Sequence, residues 1–232
     1  MTSLAENLIP VKNLRPPTTR YRKGVKVPSL NMLKRGKQNK KLGDKVTVKK
    51  WKGMTMYSLT LEERATCPTD CEQWDNCYGD NMPFAHRFSH EHSDFKPMLE
   101  QQLKELNDKH TEGFVVRLHV LGDFYNAIYL VQWQLWLHKF PNLNAFGYTH
   151  HKYKSQLGSM IENINRMHPT RFRIRFSDDW DTEFSAHVCE TEDTARLLGN
   201  GIVCPEQTGQ TKSCTSCGYC WSSDHPVIFI EH

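Results

Sequence analysis

Three strongly apolar segments, at 114–121, 143–149 and 171–177, begin 28 or 29 residues apart, and a helical pattern separates each pair. That repeat limits the fold more than any other feature of the 232-residue chain. Parallel strands cannot be joined by a tight turn and need a crossover of a dozen or more residues, usually a helix. Strands alternating with helical stretches therefore predict βα units and a parallel sheet. One helix is expected over 126–139, burying Tyr129, Trp133 and Trp136, and another over 154–167, with Leu157, Met160, Ile161 and Ile164 on one face. Upstream, 54–61 reads as a first strand. Ser93 and Asp94 read as caps of a helix whose apolar stripe is Phe95, Met98, Leu99, Leu103 and Leu106. Shorter strands are expected at 186–189, 201–204 and 227–230. The chain after residue 53 is too short for the about 250 residues of a full eightfold barrel, so a partial (βα)6-like barrel is expected.

Charge divides the chain unevenly. Residues 1–53 hold 15 Lys or Arg against Glu6 and Asp44, a balance of +13, whereas the whole chain carries only +4. With Pro10, Pro16, Pro17 and Pro28 and little apolar periodicity, this stretch reads as an extended basic arm rather than part of the core. A solvated tail fits that composition. So does an electrostatic footprint for a nucleic-acid backbone or nucleotide, with Tyr21 and Trp51 available for stacking. The fold expected is thus α/β in three parts: a basic N-terminal arm (1–53), a βα-repeat partial barrel with a parallel sheet (54–200), and a Cys-rich metal-binding segment with a final strand (201–232). No apolar run reaches the ~18–20 residues of a membrane span, and Met1-Thr-Ser-Leu opens no secretory signal, which predicts a cytoplasmic protein with reduced thiols.

Seven of the eight cysteines fall into two tight groups. Cys67, Cys71 and Cys77 form one, Cys204, Cys214, Cys217 and Cys220 the other, and Cys189 stands apart as a small buried residue. Short loops between thiolates close at little entropic cost, so each group can converge on one metal or cluster. The second group supplies four ligands, enough for tetrahedral zinc or a 4Fe–4S cluster. The first is one ligand short. His86, His90 or His92 could complete a structural zinc, the site could be an open one that binds substrate or cofactor, or both groups could share one centre.

Polar residues cluster at the carboxyl ends of the predicted strands: the first cysteine group, Gly122-Asp123, Thr149 with His150 and His151, and Ser177-Asp178-Asp179. In α/β barrels and open parallel sheets, active sites form at that rim. Taken singly, Gly122-Asp123 fits an ordinary turn, Ser177-Asp178 a helix cap, and His119 a satisfied core histidine. Their shared position is what makes them candidates.

The 67–78 segment, Arg117-Leu-His-Val-Leu-Gly-Asp-Phe124, Gly147-Tyr-Thr149, the run from Cys204-Pro205 through Cys220-Trp221 and the closing Phe229-Ile-Glu-His232 resemble the phage "gene product 88" family from about residue 50 onward. The organisation is also similar to that of radical S-adenosylmethionine (SAM) enzymes. That resemblance implies a 4Fe–4S cluster on Cys67, Cys71 and Cys77, whose open iron binds SAM. It implies that Gly122-Asp123 receives the SAM amino group, that Ser177 or Asp178 contacts the ribose, and that Thr149 lies on the same cofactor rim. It also implies that the C-terminal cysteines hold an auxiliary cluster. The spacing departs from that pattern: three then five residues separate the first cysteines instead of three then two, the aromatic Tyr78 follows the last cysteine instead of preceding it, and Asp123 replaces a glutamate.

The expectation is a nonstandard radical SAM-like iron–sulfur enzyme with one or two 4Fe–4S clusters and SAM. It would be phage-encoded, located in the host cytoplasm, and would act on a nucleotide or nucleic acid. Its rivals are a zinc-stabilised nucleic-acid-binding protein without catalysis and a Zn2+-dependent enzyme in which the open three-cysteine site activates water.

Overall fold

The computed structural model describes residues 18–197, 199 and 201–231. In chain order the strands are β1 (Val25–Lys26), β2 (Lys34–Arg35), β3 (Thr55–Ser58), β4 (Arg87–Phe88), β5 (Phe114–Leu118), β6 (Leu143–Thr149), β7 (Phe172–Ser177), β8 (Ser185–Cys189), β9 (Ile202–Val203) and β10 (Val227–Ile230). The helices are α1 (Phe95–Lys109), α2 (Ala127–Lys139), α3 (Gln156–Met167), α4 (Glu192–Leu197), α5 (Cys214–Cys217) and α6 (Tyr219–Ser222). Eight strands form one sheet in the order β2-β3-β5-β6-β7-β8-β10-β9. Every pairing in it is parallel except β2 with β3. The fold is mixed α/β with a parallel-rich sheet.

The repeat acts as its chemistry requires. β4 pairs with β1 in a separate two-stranded sheet; the other strands from β3 to β7 each lie beside the next, and α1, α2 and α3 supply the crossovers. All three helices cover the same face. Leu99 and Leu103 of α1, Trp133 and Trp136 of α2, and Ile161 and Ile164 of α3 pack with Phe114, Val116 and Leu118 of β5. Helix starts follow side-chain caps where these exist: Asn126 accepts from the Tyr129 N–H, and Ser155 from the Gly158 N–H. Asp94 occupies the cap position of α1 but makes no side-chain cap bond.

Among the described residues, no long helix lies over the opposite face. It is covered by Leu42, Val46 and Trp51 from the N-terminal segment and by Trp221 from the C-terminal one, packed on Met56, Val115 and Phe146. This corrects the expectation of an extended arm apart from the core. Residues 1–17 lie outside the described residues, but Met32, Leu33, Leu42, Val46 and Trp51 are buried, and β2 pairs with β3. Apolar anchors alternate here with exposed cations such as Lys37, Lys40, Lys45 and Lys52. A high positive charge and a buried seam coexist because different side chains carry them. Trp51, expected as a stacking platform, is instead enclosed against Trp221 at 5.4 Å between ring centroids. Tyr21 packs against the Arg87 guanidinium and donates its hydroxyl to the Asp80 carbonyl. Among the described residues no helix is long and apolar enough to cross a membrane.

Candidate functional site

The first cysteine group lies in the long connection between β3 and α1, at the carboxyl end of the sheet. Pairing runs on past β3 and β5, the Leu61 N–H donating to the Leu121 carbonyl, and the chains then part around Gly122. Gly122 has φ +83, and a Cβ there would stand 2.4 Å from Thr66 Oγ1 and 2.7 Å from Leu61 Cβ. Glycine is needed both for the dihedral and for the close approach. The next residue seals the contact: the Asp123 N–H donates to Thr66 Oγ1 at 3.1 Å. The Asp123 carboxylate, 2% exposed, accepts from the N–H groups of Phe124 (2.7 Å) and His150 (2.8 Å). Asp123 therefore ties the β5 and β6 loops to the residue preceding Cys67.

Two buried ion pairs brace this loop, and sequence reasoning missed both. Arg87 donates to both carboxylate oxygens of Glu63, at 2.6 and 2.8 Å, and to the carbonyls of Gly79, Met82 and Ala85. Arg64, at φ +65, donates to Asp80 at 2.8 and 2.7 Å and to the Trp74 carbonyl. Asp80 is held below the usual carboxylate range chiefly by that bond. Long loops in compact domains are commonly functional, and this one, whose regular structure is limited to the short strand β4 and a 3-10 turn at Tyr78–Asn81, is braced largely by charge. In the sequence its acids and bases read as ordinary surface residues, because nothing local marks them as paired.

All eight cysteines are free. Burial pushes the Cys71 thiol up to about 12, and Cys67 well above its ordinary value, and the Asp123 charge raises both further. The charges acting on Cys67 include Cys71 and Cys77, so the three thiols share one electrostatic neighbourhood. His86 is exposed, and His90 and His92 line an open cleft of about 520 Å³ with Lys96, Tyr125 and Asn126.

The other rim residues are near but engaged. Thr149 is fully buried and accepts from the His151 N–H. Asp178 follows Ser177 at φ +52 and accepts from the Val188 N–H at 3.0 Å. Burial raises its pKa, and His150, Glu72 and Lys152 are among its charged neighbours. Lys152 in turn pairs with Glu72 of the cysteine loop at 2.6 Å. The structure thus gathers the first cysteine loop, Gly122-Asp123, the loop after Thr149 and Asp178 at one rim. His119 bonds the Tyr129 hydroxyl at 2.9 Å within the core, and burial depresses it to about 3. Cys189 packs in a small apolar cluster with Ala195 and Ile228.

The second group sits on the sheet face away from α1–α3. The Cys204 N–H donates to Ile228 in β10, and the Cys214 and Thr215 N–H groups donate to Lys41 and Leu42 of the basic segment. Cys214 and Cys217 are one turn apart on α5, on one helix face. Gly218, at φ +66, then reverses the chain so that Cys220 on α6 returns toward them. Charges on Cys220 include Cys204 and Cys217, and those on Cys214 include Cys220 and Cys204. Among the described residues, however, no three His, Cys, Asp or Glu side chains are drawn together as a finished metal site.

A family model described as Gene product 88 matches residues 31–223. The chain belongs to the gene product 88 family. This is a family of phage proteins, and the match begins one residue before Met32, the earliest apolar core residue among those described. It starts about 20 residues earlier than the sequence motifs suggested and stops short of Phe229-Ile-Glu-His232. No curated protein and no solved structure matches the chain.

Proposed function

We propose that this gene product 88 protein is a radical SAM-like iron–sulfur enzyme on a partial (βα)6-like barrel, acting on a nucleotide or nucleic acid. The observation that carries the reading is the seating of the Cys67, Cys71 and Cys77 loop, which follows the first parallel strand, against the Gly122-Asp123 turn that follows the second. The consecutive strand order and the single helical layer favour a curled sheet. So does the contact between Tyr148 of β6 and Phe229 of β10, with ring centroids 5.4 Å apart although β7 and β8 lie between. In a flat sheet those strands stand about 14 Å apart, three spacings of roughly 4.8 Å.

Cys67, Cys71 and Cys77 would hold a 4Fe–4S cluster, which when bound supplies one-electron reduction of SAM. The chain's own residues bind and orient. The two N–H groups on Asp123 use about half of a carboxylate's roughly four acceptor positions, which leaves capacity for the SAM amino group. Thr149, Ser177 and Asp178 offer polar groups for the ribose from the same rim. The Lys152–Glu72 pair and the Asp123 bonds join the rim loops, so that they move as one unit and limit water access.

Anaerobically purified protein should contain iron and acid-labile sulfide, and Cys71→Ala should reduce SAM cleavage to the uncatalysed level. A colourless protein with stoichiometric zinc and no iron, or undiminished cleavage by Cys71→Ala, overturns the proposal. The exposed cations support the nucleic-acid assignment. Truncating residues 1–53 would also remove Leu42, Val46 and Trp51 from the core, so charge substitution is the cleaner probe. Combined Lys37→Glu, Lys40→Glu, Lys45→Glu and Lys52→Glu should weaken binding of single-stranded DNA at least tenfold at 50 mM salt and flatten its salt dependence, read by fluorescence anisotropy. Equal binding and slope in both proteins would remove this segment from the interface.

A further inference from the structure

The face that carries the second cysteine group also carries two guanidinium groups that have no carboxylate partner among the described residues. Arg175 is 0% exposed, and it donates only to carbonyls: those of Cys220 (2.8 Å), Ser185 (3.0 Å), His225 (3.0 Å) and Ser223 (2.6 Å). Arg117, partly buried, donates to the Leu118 carbonyl and lies over the rings of Tyr148 (4.6 Å) and Phe146 (5.6 Å). Among the described residues no carboxylate forms an ion pair with either, whereas the nearby Lys41 pairs with Glu206 and Arg173 with Asp224. Carbonyls and π-faces satisfy hydrogen bonds but leave the charge unbalanced. A protein interior that keeps an unpaired charge normally holds its counter-charge nearby. The second cysteine group lies against both arginines: the Cys220 carbonyl accepts from Arg175, and Cys214 and Cys220 pack on the cluster that contains Phe146, the ring over which Arg117 lies. Arg117 also neighbours Tyr78 of the first cysteine loop.

We infer that Cys204, Cys214, Cys217 and Cys220 form a tetrathiolate metal centre of net charge −2, and that Arg175 and Arg117 are the positioning residues that neutralise it. The balance closes: four neutral thiols and one divalent ion give an M(SR)4 dianion and release four protons, and the two guanidinium charges cancel the dianion. A 4Fe–4S centre with four thiolates in its 2+ state carries the same −2 charge, so the argument covers both. Cys214 and Cys217 lie one turn apart on α5 and Gly218, at φ +66, leads the chain into α6 with Cys220; convergence of the four sulfurs on the ion is part of the inference. The inference rests on the metal-binding reading of this group and is independent of chemistry at Cys67, Cys71 and Cys77.

The test uses the full chain carrying Cys67→Ala, Cys71→Ala and Cys77→Ala, so that only the second group can bind metal, loaded with Co2+ under reducing conditions. One Co2+ per chain with tetrahedral sulfur-ligand absorption is expected, and about four protons released. Arg117→Met should weaken Co2+ retention against a chelator by 10–100-fold, and Arg117→Lys by less than threefold, with the circular dichroism of both unchanged. Arg175→Met should weaken it as well, but that variant also loses four carbonyl contacts, so Arg117 decides. Failure of the triple variant to take up Co2+, with its remaining thiols open to a thiol reagent, overturns the centre. Tight binding that Arg117→Met leaves unchanged overturns the charge role. Neither outcome bears on SAM cleavage by Cys71→Ala, which separates this inference from the catalytic proposal.

Discussion

Trp221→Ala should lower the stability of the protein by about 3–5 kcal/mol, the cost seen when a large buried aromatic is truncated and the site cannot collapse. Trp221 is fully buried and stacks on Trp51 with ring centroids 5.4 Å apart, and Phe146 meets it at 4.7 Å. Three parts of the chain meet in this cluster: the N-terminal segment, the central strand β6 and the cysteine-bearing C-terminal segment. Losing the indole leaves a cavity walled by rigid rings and sheet, which can relax little. The denaturation midpoint should fall with an unchanged slope, and Cys214 and Cys220 should react faster with a thiol reagent, since both pack against the same cluster. Trp221→Phe should cost much less, because the indole N–H has no hydrogen-bond partner to lose. A loss below 1 kcal/mol for the alanine variant would show that this face of the sheet does not depend on the C-terminal segment.

Arg87→Met should be as damaging for a different reason. It strands the Glu63 carboxylate, itself 1% exposed, and removes the donors to three carbonyls of the cysteine loop. Removing one partner of a buried ion pair typically costs 3–5 kcal/mol, whereas replacing both by apolar groups of similar volume is often close to neutral. The double variant Glu63→Leu with Arg87→Met should therefore recover a substantial part of the loss, read from chemical denaturation. Full recovery is not expected, because the Thr19 hydroxyl also donates to Glu63 and the loop carbonyls remain unpaired. A double variant no more stable than Arg87→Met would mean that the carbonyl contacts, not the charge pair, hold the loop. In either case occupancy of the cluster proposed at Cys67, Cys71 and Cys77 should fall, since these residues lie on the segment that the pair braces.

Much of the sheet was legible because its signals are local. β6 (Leu143–Thr149) and β10 (Val227–Ile230) have the bounds read from their apolar runs. α2 and α3 begin where Asn126 and Ser155 provide caps, one or two residues later than the periodicity suggested. β3 and β5 end three residues earlier than expected, at Ser58 and Leu118. The apolar runs continue beyond them into the segments that lead to the cysteines and to Gly122, where ladder pairing gives way to isolated bonds.

The candidate site was legible as a list of residues but not as an arrangement. Spacing alone could group the cysteines and place Gly122-Asp123 at a strand end. It could not show that Asp123 bonds across to Thr66 and His150, or that Arg173 and Arg175 of β7, which alternate with Phe172, Ile174 and Phe176, face a covered surface rather than water. Alternation identifies two faces, but only packing reveals what covers each one. The same limit explains the basic segment, where a charge excess hides five buried apolar anchors whose partners lie far away in the chain.

Strand and helix periods, cap residues and thiol spacing are consequences of covalent neighbours, so the chain's order of residues settles them: βα units, a parallel-rich sheet and two cysteine groups. Which distant segments meet was decided by tertiary packing. The sheet face away from α1–α3 had to be covered, and the burial of Leu42, Val46, Trp51 and Trp221 covers it. That burial brought the basic segment onto the C-terminal cysteines and set Arg117 and Arg175 beside them, a juxtaposition that depends on distant segments closing around one core.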